Sequence, residues 1–349
     1  MPKLPVSILG ATGIVGQRFV QGLHDHPWFE IKALVASHSS AGKTYREACS
    51  WKIDAPMPAE IGDLVLGSLE QKLPGRLVFS ALPSGAAREI EAKLAAQDHV
   101  VCTNASAFRL EPDVPLIIPE VNAAHLSLIA KQRESRGWPG YIVASPNCTT
   151  TAIALPLKPL AEAFGLRKVV AVSMQAISGA GYPGLSMMDV MGNVLPFISG
   201  EEEKMEVETK ILLGSVEAGE RRPSTVEISA HANRVPVLDG HMVCLSIEFE
   251  EEGSIERVSG VMRAFEAASP YYELPSAPDS PLVLHDHSDR PQPGLDRYAN
   301  EGMSVVVGRV RPCPSLHIRM VSLVHNTIRG AAGGAIMNAE LLYGEGLLL

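Results

Sequence analysis

Residues Val6–Phe19, VSILGATGIVGQRF, run from a short apolar stretch into an amphipathic one through Gly10, Gly13 and Gly16, spaced G-x-x-G-x-x-G. Glycines at a strand-to-helix turn let the backbone bend tightly and approach a diphosphate, which then sits at the positive end of the helix. Around this turn the pattern repeats. FEIKALVAS, RLVFSAL, HVVCTNA and VPLIIPEVN read as strands, while IVGQRFVQGLHDH and SGAAREIEAKLAAQD read as helices. Apolar runs alternating with longer amphipathic segments predict buried parallel strands joined by helical crossovers. The first part of the chain is therefore expected to be an α/β, Rossmann-type dinucleotide-binding domain.

The texture changes after YIVASPNCTTTAIALPLKPLAEAFG, which reads as strand, turn and helix. LRKVVAVSMQAIS, STVEISAHANRVPV, HMVCLSIEFEE and LHIRMVSLVHN are longer alternating or β-rich strands, the pattern of a mixed, largely antiparallel sheet covered by helices. An acidic helix is predicted near 201–213, its EEE start facing solvent, and another helix near 253–268. The expected division is 1–147 for the nucleotide domain, completed by a small-residue helix over 327–349, and 148–326 for an α+β catalytic and dimerisation domain.

At 349 residues the chain suits two such domains. Thirty Lys and Arg against 39 Asp and Glu give a net charge of −9, which argues against a nucleic-acid partner. The five cysteines, at 49, 102, 148, 244 and 313, are scattered without metal-ligand spacing. No metal is expected, and a reducing, cytoplasmic setting is. No apolar run approaches the length of a membrane span, and no signal peptide is read at the N-terminus.

At the end of the second strand, where an NAD-preferring fold usually places a carboxylate, the chain has Ser37, Ser39, Ser40 and Lys43. Hydroxyls and a cation suit a ribose 2′-phosphate, so NADP is favoured over NAD. Gly10, Thr12, Gly13, Ile14 and Val15 in the turn, with Ser80 at a later strand end, complete the expected cofactor contacts in this domain.

Cys148, in SPNCTTT, stands where a helix is predicted to begin. Backbone N–H groups and the helix dipole there favour a thiolate, and Asn147 can aim an amide N–H at a developing oxyanion. A nucleophilic thiol beside a nicotinamide cofactor points to oxidation of an aldehyde through a thioester, or to the reverse reduction of an activated acyl group. Of the 11 histidines, His241, following a Gly at a strand entrance, is best placed as the acid–base group. His231, His285, His287, His317 and His325 remain alternatives.

Taken in order, GATGIVGQRF, SSAGK, NASAFR, PEVN, SPNCTT, QAISGAGYPG, GEEEKMEVETK, NRVPVLDGH, VVVGRVR and LVHNTIRGAAGGAI resemble the aspartate-β-semialdehyde dehydrogenases, in their archaeal and fungal-like branch. The resemblance implies an NADP-dependent oxidoreductase that converts L-4-aspartyl phosphate to L-aspartate 4-semialdehyde in lysine, threonine, methionine and diaminopimelate biosynthesis. It makes Cys148 the nucleophile, His241 the acid–base, Asn147 a polarising group and Gln175 a substrate-orienting one. It assigns Arg234 to the substrate carboxylate, Arg109 to phosphate and Glu208 to the substrate ammonium. Gly179 and Gly181 would line the cofactor loop, and Asn326 would meet the nicotinamide end. Ser39 stands where many relatives carry an arginine, and Ile211 follows Lys210 where they show a second lysine, so Lys204 and Lys210 are both candidates for phosphate. The resemblance further implies a small-molecule substrate, inorganic phosphate as co-reactant, and a homodimer or homotetramer. Malonyl-CoA and succinyl-CoA reductases, and more distantly N-acetyl-glutamyl-phosphate reductase, share the thiol chemistry and are the alternatives.

Overall fold

The computed structural model describes residues 2–37, 39–265 and 273–348. Strands β1 (Leu4–Leu9), β2 (Phe29–Val35), β3 (Leu77–Ser80), β4 (Val100–Thr103) and β5 (Tyr141–Ala144) form a parallel sheet in the order β2-β1-β3-β4-β5. Every residue of β3, β4 and β5 is buried, as continuous apolar runs require when helices cover both faces. The helix Ile14–Leu23 follows the glycine turn. Gly10 holds φ +71°, and a Cβ on Gly16 would stand 2.2 Å from the Gly10 carbonyl oxygen, so the turn closes only with glycine at both places.

One expected strand is absent. VPLIIPEVN contributes a single bridge, Leu116 to Ala144, because Pro119 opens a short helix, Pro119–Asn122, instead of continuing the run.

The second sheet is built from β6 (Leu166–Gln175), β9 (Glu227–Arg234), β10 (His241–Phe249), β11 (Leu282–His285), β12 (Val305–Pro312) and β13 (Ile318–Val324), with a small hairpin of β7 (Ser215–Glu217) and β8 (Glu220–Arg222) between β6 and β9 in the chain. Its order is β11-β12-β13-β10-β6-β9. It is mixed: β10 is antiparallel to β6 and β13, and β12 to β13, while β6–β9 and β11–β12 are parallel. In β10 buried and more exposed residues alternate, as expected for a sheet covered on one face. The helix expected at 253–268 runs Ile255–Arg263; residues 266–268 of that expectation, and Met1 and Leu349 at the ends, lie outside the described residues.

The helix Cys148–Phe164 joins the two sheets. One buried apolar cluster passes from Val78, Val101 and Ile142 through Leu155 and Leu160 to Val243 and Leu245, so that helix is packed from both sides. The other face of the first sheet is covered by a second cluster that combines Phe19 and Phe79 with Ile336 and Leu341 of the C-terminal helix Gly333–Gly344. Polar contacts that fix the returning segment include the buried Arg329–Glu120 ion pair, His26 with Glu340 at 2.8 Å, and Tyr141 Oη donating to the Leu347 carbonyl at 2.7 Å.

Candidate active site

Cys148 is the first residue of its helix and is half-buried. Asn147 caps that helix: its Oδ1 accepts from the backbone N–H of Thr149 at 2.8 Å and of Thr150 at 3.3 Å. Its Nδ2 donates to Glu201 at 2.8 Å, and its backbone N–H to Glu208 at 2.6 Å. Asn147 thus holds the turn through Oδ1 and through one N–H of its amide, which has a second N–H to donate. From the other side Gly330 lies against Cys148; a Cβ there would be 2.7 Å from Cys148 Cβ.

Neighbouring strand ends deliver the next three side chains. Gln175 ends β6 and pairs with Arg234 at the end of parallel β9. Met242 of antiparallel β10 faces Met174, so His241 emerges at the same edge. Just beyond, Ala176 binds two of these groups through its main chain: its N–H donates to His241 Nδ1 at 3.0 Å, and its carbonyl accepts from Arg234 Nη1 at 2.7 Å. The position of a Cβ on Gly179 would be 2.9 Å from both Arg234 Nη1 and His241 Nε2, so glycine keeps the space beside them open. His241 is fully buried and its Nε2 has no protein partner.

A buried charge cluster surrounds the sulfur. Glu201 accepts from Asn147, from Lys204 at 2.8 Å and from Gln175 at 3.3 Å. Arg109 donates to Glu208 at 3.0 Å and to the Asn104 carbonyl at 2.7 Å, leaving its buried Nε unpaired. Lys210 lies further along the Glu201–Leu212 helix, half-buried. Two sequence readings change here. Glu201 is not a solvated helix start but sits 8% exposed within this cluster. Glu208, read as the partner of a substrate ammonium, has its carboxylate committed to Arg109 and the Asn147 backbone. The i, i+3 spacing of Glu201 and Lys204 just after Gly200 was the available signal.

Burial pushes the Cys148 thiol up to about 12, with Glu201 adding to the rise and Arg109, Arg234 and the helix start opposing it. The expected lowering by the helix terminus is thus outweighed by desolvation. His241 is driven down to about 3 by burial, then by Arg234 and His325. Burial opposes charge on Glu201, yet Lys204, Asn147 and Gln175 together hold it below the usual carboxylate range. Of the other histidines, His325 is buried near His241, whereas His231 and His287 are exposed, His285 pairs with Asp296 and His317 accepts from Phe249.

Of the residues expected at the cofactor, Ile14 lines a cavity together with Ser178 and Gly181. The Ile14–Leu23 helix begins at Gly13 without a side-chain cap, so its first N–H groups are unclaimed by side chains, as a diphosphate needs. Thr12 accepts from Gln17 through its carbonyl at 2.9 Å, and Ile14 and Val15 open the helix. Ser37 and Ser39 are exposed and share a 3.0 Å hydrogen bond beyond β2, with Ser40 half-buried and Lys43 exposed on the same loop. This polar, cationic loop fits a 2′-phosphate. Ser80 is buried at the end of β3. Asn326 bridges the catalytic edge and the glycine loop, accepting from the Gly240 N–H and donating to Ser178 Oγ, both at 2.8 Å.

Two family models match the chain: "Semialdehyde dehydrogenase, NAD binding domain" over residues 5–129 and "Semialdehyde dehydrogenase, dimerisation domain" over 157–329. The aspartate-semialdehyde dehydrogenase of Archaeoglobus fulgidus is 46% identical over 347 residues, covering 99% of this chain and 100% of that protein. That of Schizosaccharomyces pombe is 45% identical over 353 residues, covering 98% and 99%. Among solved structures, the Candida albicans aspartate semialdehyde dehydrogenase with NADP superposes with a TM-score of 0.91 at 41% identity, covering 99% of each chain.

Proposed function

The chain belongs to the aspartate-semialdehyde dehydrogenase family, and from that premise we propose that it is the NADP-dependent enzyme of lysine, threonine and methionine biosynthesis that interconverts L-4-aspartyl phosphate and L-aspartate 4-semialdehyde. Residues 1–147 with the returning 327–349 segment hold the cofactor, and 148–326 supplies most of the chemistry.

The observation that carries this reading is the setting of Cys148: a half-buried sulfur at a helix start, under the charge of Arg109 from one domain and Arg234 from the other. Cys148 attacks the acyl carbon and forms the thioester. Arg234, pinned by Ala176 with its Nε unpaired, takes the substrate α-carboxylate. Arg109, held by Glu208, takes phosphate with Lys204 or Lys210. Glu201, rather than Glu208, takes the ammonium, since it is the anion that acts on the sulfur. A bound ammonium would offset the Glu201 charge that raises the thiol. Gln175 steadies Glu201, and His241 faces the carbonyl oxygen. Bound NADPH supplies the hydride.

The exposed apolar strip of Tyr182, Leu185, Met187, Met191 and Phe197 supports assembly as a homo-oligomer. Among the described residues no helix is long and apolar enough to cross a membrane. The acyl-CoA alternatives gain no support from this geometry or from the relatives.

The test is reduction of NADP with aspartate semialdehyde, with and without inorganic phosphate. Turnover is expected only with phosphate, and Cys148→Ser should abolish it. Full turnover without phosphate would overturn the acyl-phosphate assignment.

A further inference from the structure

We propose that Glu202 and Glu206 are positioning residues that set the spacing between the two charges receiving the amino-acid end of the substrate, Glu201 and Arg234. The inference rests on the assignment of Glu201 to the ammonium and Arg234 to the α-carboxylate under the proposed function, and adds to it what holds the two at a fixed separation.

Strand β9 is the last strand of the second sheet and pairs on one side only, with β6. The N–H groups on its free side need partners. Ala230 N–H donates to Glu206 at 3.0 Å, Ala232 N–H to Glu202 at 2.9 Å, and Arg234 N–H to the Leu195 carbonyl at 2.8 Å. Leu195 N–H returns a bond to the Arg234 carbonyl at 3.0 Å. The free edge of β9 over 230–234 is closed by carboxylates of the Glu201–Leu212 helix and by the segment that leads into it. Carboxylates are strong acceptors for such groups, and losing one leaves a part-buried N–H unpaired.

The dimensions of the two elements agree. Four residues of helix advance about 6 Å and two residues of strand about 6.6 Å, so carboxylates four apart meet N–H groups two apart. The helix and the strand run in opposite directions, Glu206 lying with Ala230 and Glu202 with Ala232. The same course brings the helix start, with Glu201, to the strand end, with Arg234. Adjacent helical residues point about 100° apart. While Glu202 faces the strand edge, Glu201 therefore turns to Asn147 and Gln175. Burial pulls Arg234 below its ordinary value, and Cys148 and Glu201 oppose this, so the two charges share one neighbourhood. The Ala176 carbonyl holds Arg234 independently of the helix. A helix that slipped along β9 would carry Glu201 away and leave Arg234 where it is.

The test is steady-state kinetics of Glu202→Met, which keeps the bulk and removes the acceptor, beside Glu202→Gln, which keeps an oxygen for the Ala232 N–H. Glu202→Met is expected to raise the KM for aspartate semialdehyde at least ~10-fold while kcat stays within ~3-fold of the unaltered protein. Glu202→Gln should stay near the unaltered protein. Discrimination should fall as well: the kcat/KM ratio of aspartate semialdehyde over succinic semialdehyde, which lacks the amino group and needs only Arg234, should drop ~10-fold in Glu202→Met. An unchanged KM, equal loss in the Met and Gln variants, or equal loss on both aldehydes would overturn the proposal. Should Glu202→Met not fold, Glu206→Met carries the same expectations, with Glu206→Gln as its control. An unaltered protein that uses succinic semialdehyde as readily as aspartate semialdehyde would instead sink the ammonium assignment itself.

Discussion

Gly330 touches Cys148 so closely that a Cβ on it would stand 2.7 Å from Cys148 Cβ and 3.1 Å from its Cα. The turn that presents the thiol is therefore moulded against the segment leading into the C-terminal helix. Gly330→Ala should force one of the two backbones to shift, at about 1–3 kcal/mol in stability. Turnover should fall by ~10-fold or more, because a small displacement of a nucleophile weighs heavily on rate. Thermal melting and steady-state kinetics of the variant check both, and wild-type values in each would show that the contact imposes nothing.

Glu201→Gln removes the anion that adds to the rise of the Cys148 thiol. The sign follows directly: with less negative charge nearby the thiolate is easier to form, so the rise of alkylation rate with pH should move to lower pH. The KM for aspartate semialdehyde should increase at the same time, since the ammonium loses its partner. Rates of iodoacetamide modification across pH, read by mass spectrometry at Cys148, decide the first part. An unmoved profile would mean that Glu201 does not act on the thiol.

Arg329 and Glu120 pair with side chains 1% exposed. Truncating one partner leaves a buried charge alone. Arg329→Met should cost about 3–5 kcal/mol, and a matched Arg329→Met, Glu120→Leu double variant should recover most of it. Urea unfolding of the three proteins makes the comparison. A double variant no better than the single would show that the pair is needed for shape rather than for mutual neutralisation.

Glu91 is fully buried under the first sheet, accepts from Thr103 Oγ1 at 2.6 Å, and is raised by burial to about 7 from its ordinary 4.5. The folded state thus holds a proton that the unfolded chain releases. Its contribution to stability is complete below about pH 4.5, falls as pH rises, and is gone above about 7, a swing of about 3 kcal/mol. Glu91→Gln, which keeps an acceptor for Thr103, should melt near the wild type at pH 5 and higher than it at pH 8. A difference that does not vary with pH would contradict the assignment.

The parts of the site that lie in sequence-local devices were legible beforehand. The glycine turn, the Ser37–Lys43 loop and a cysteine at a helix start each announce themselves within a few residues, because their chemistry depends on neighbouring backbone. Glu201 did not, since a glutamate opening an acidic helix looks solvated until the Asn147 turn and β6 are folded against it. VPLIIPEVN misled for a different reason: its apolar residues are buried as expected, but Pro119 starts a helix rather than ending a strand. The thiol was misjudged because the helix terminus is visible in sequence whereas the desolvation that outweighs it is a property of packing.

The grip of Ala176 on His241 and Arg234 is made wholly of peptide atoms. Ala176 is fully buried, so side-chain replacement there reports on packing and leaves the role of those peptide atoms unseen. Only chemistry that edits the amide itself, such as an ester linkage introduced by semisynthesis, would reveal how much the enzyme leans on that one bond.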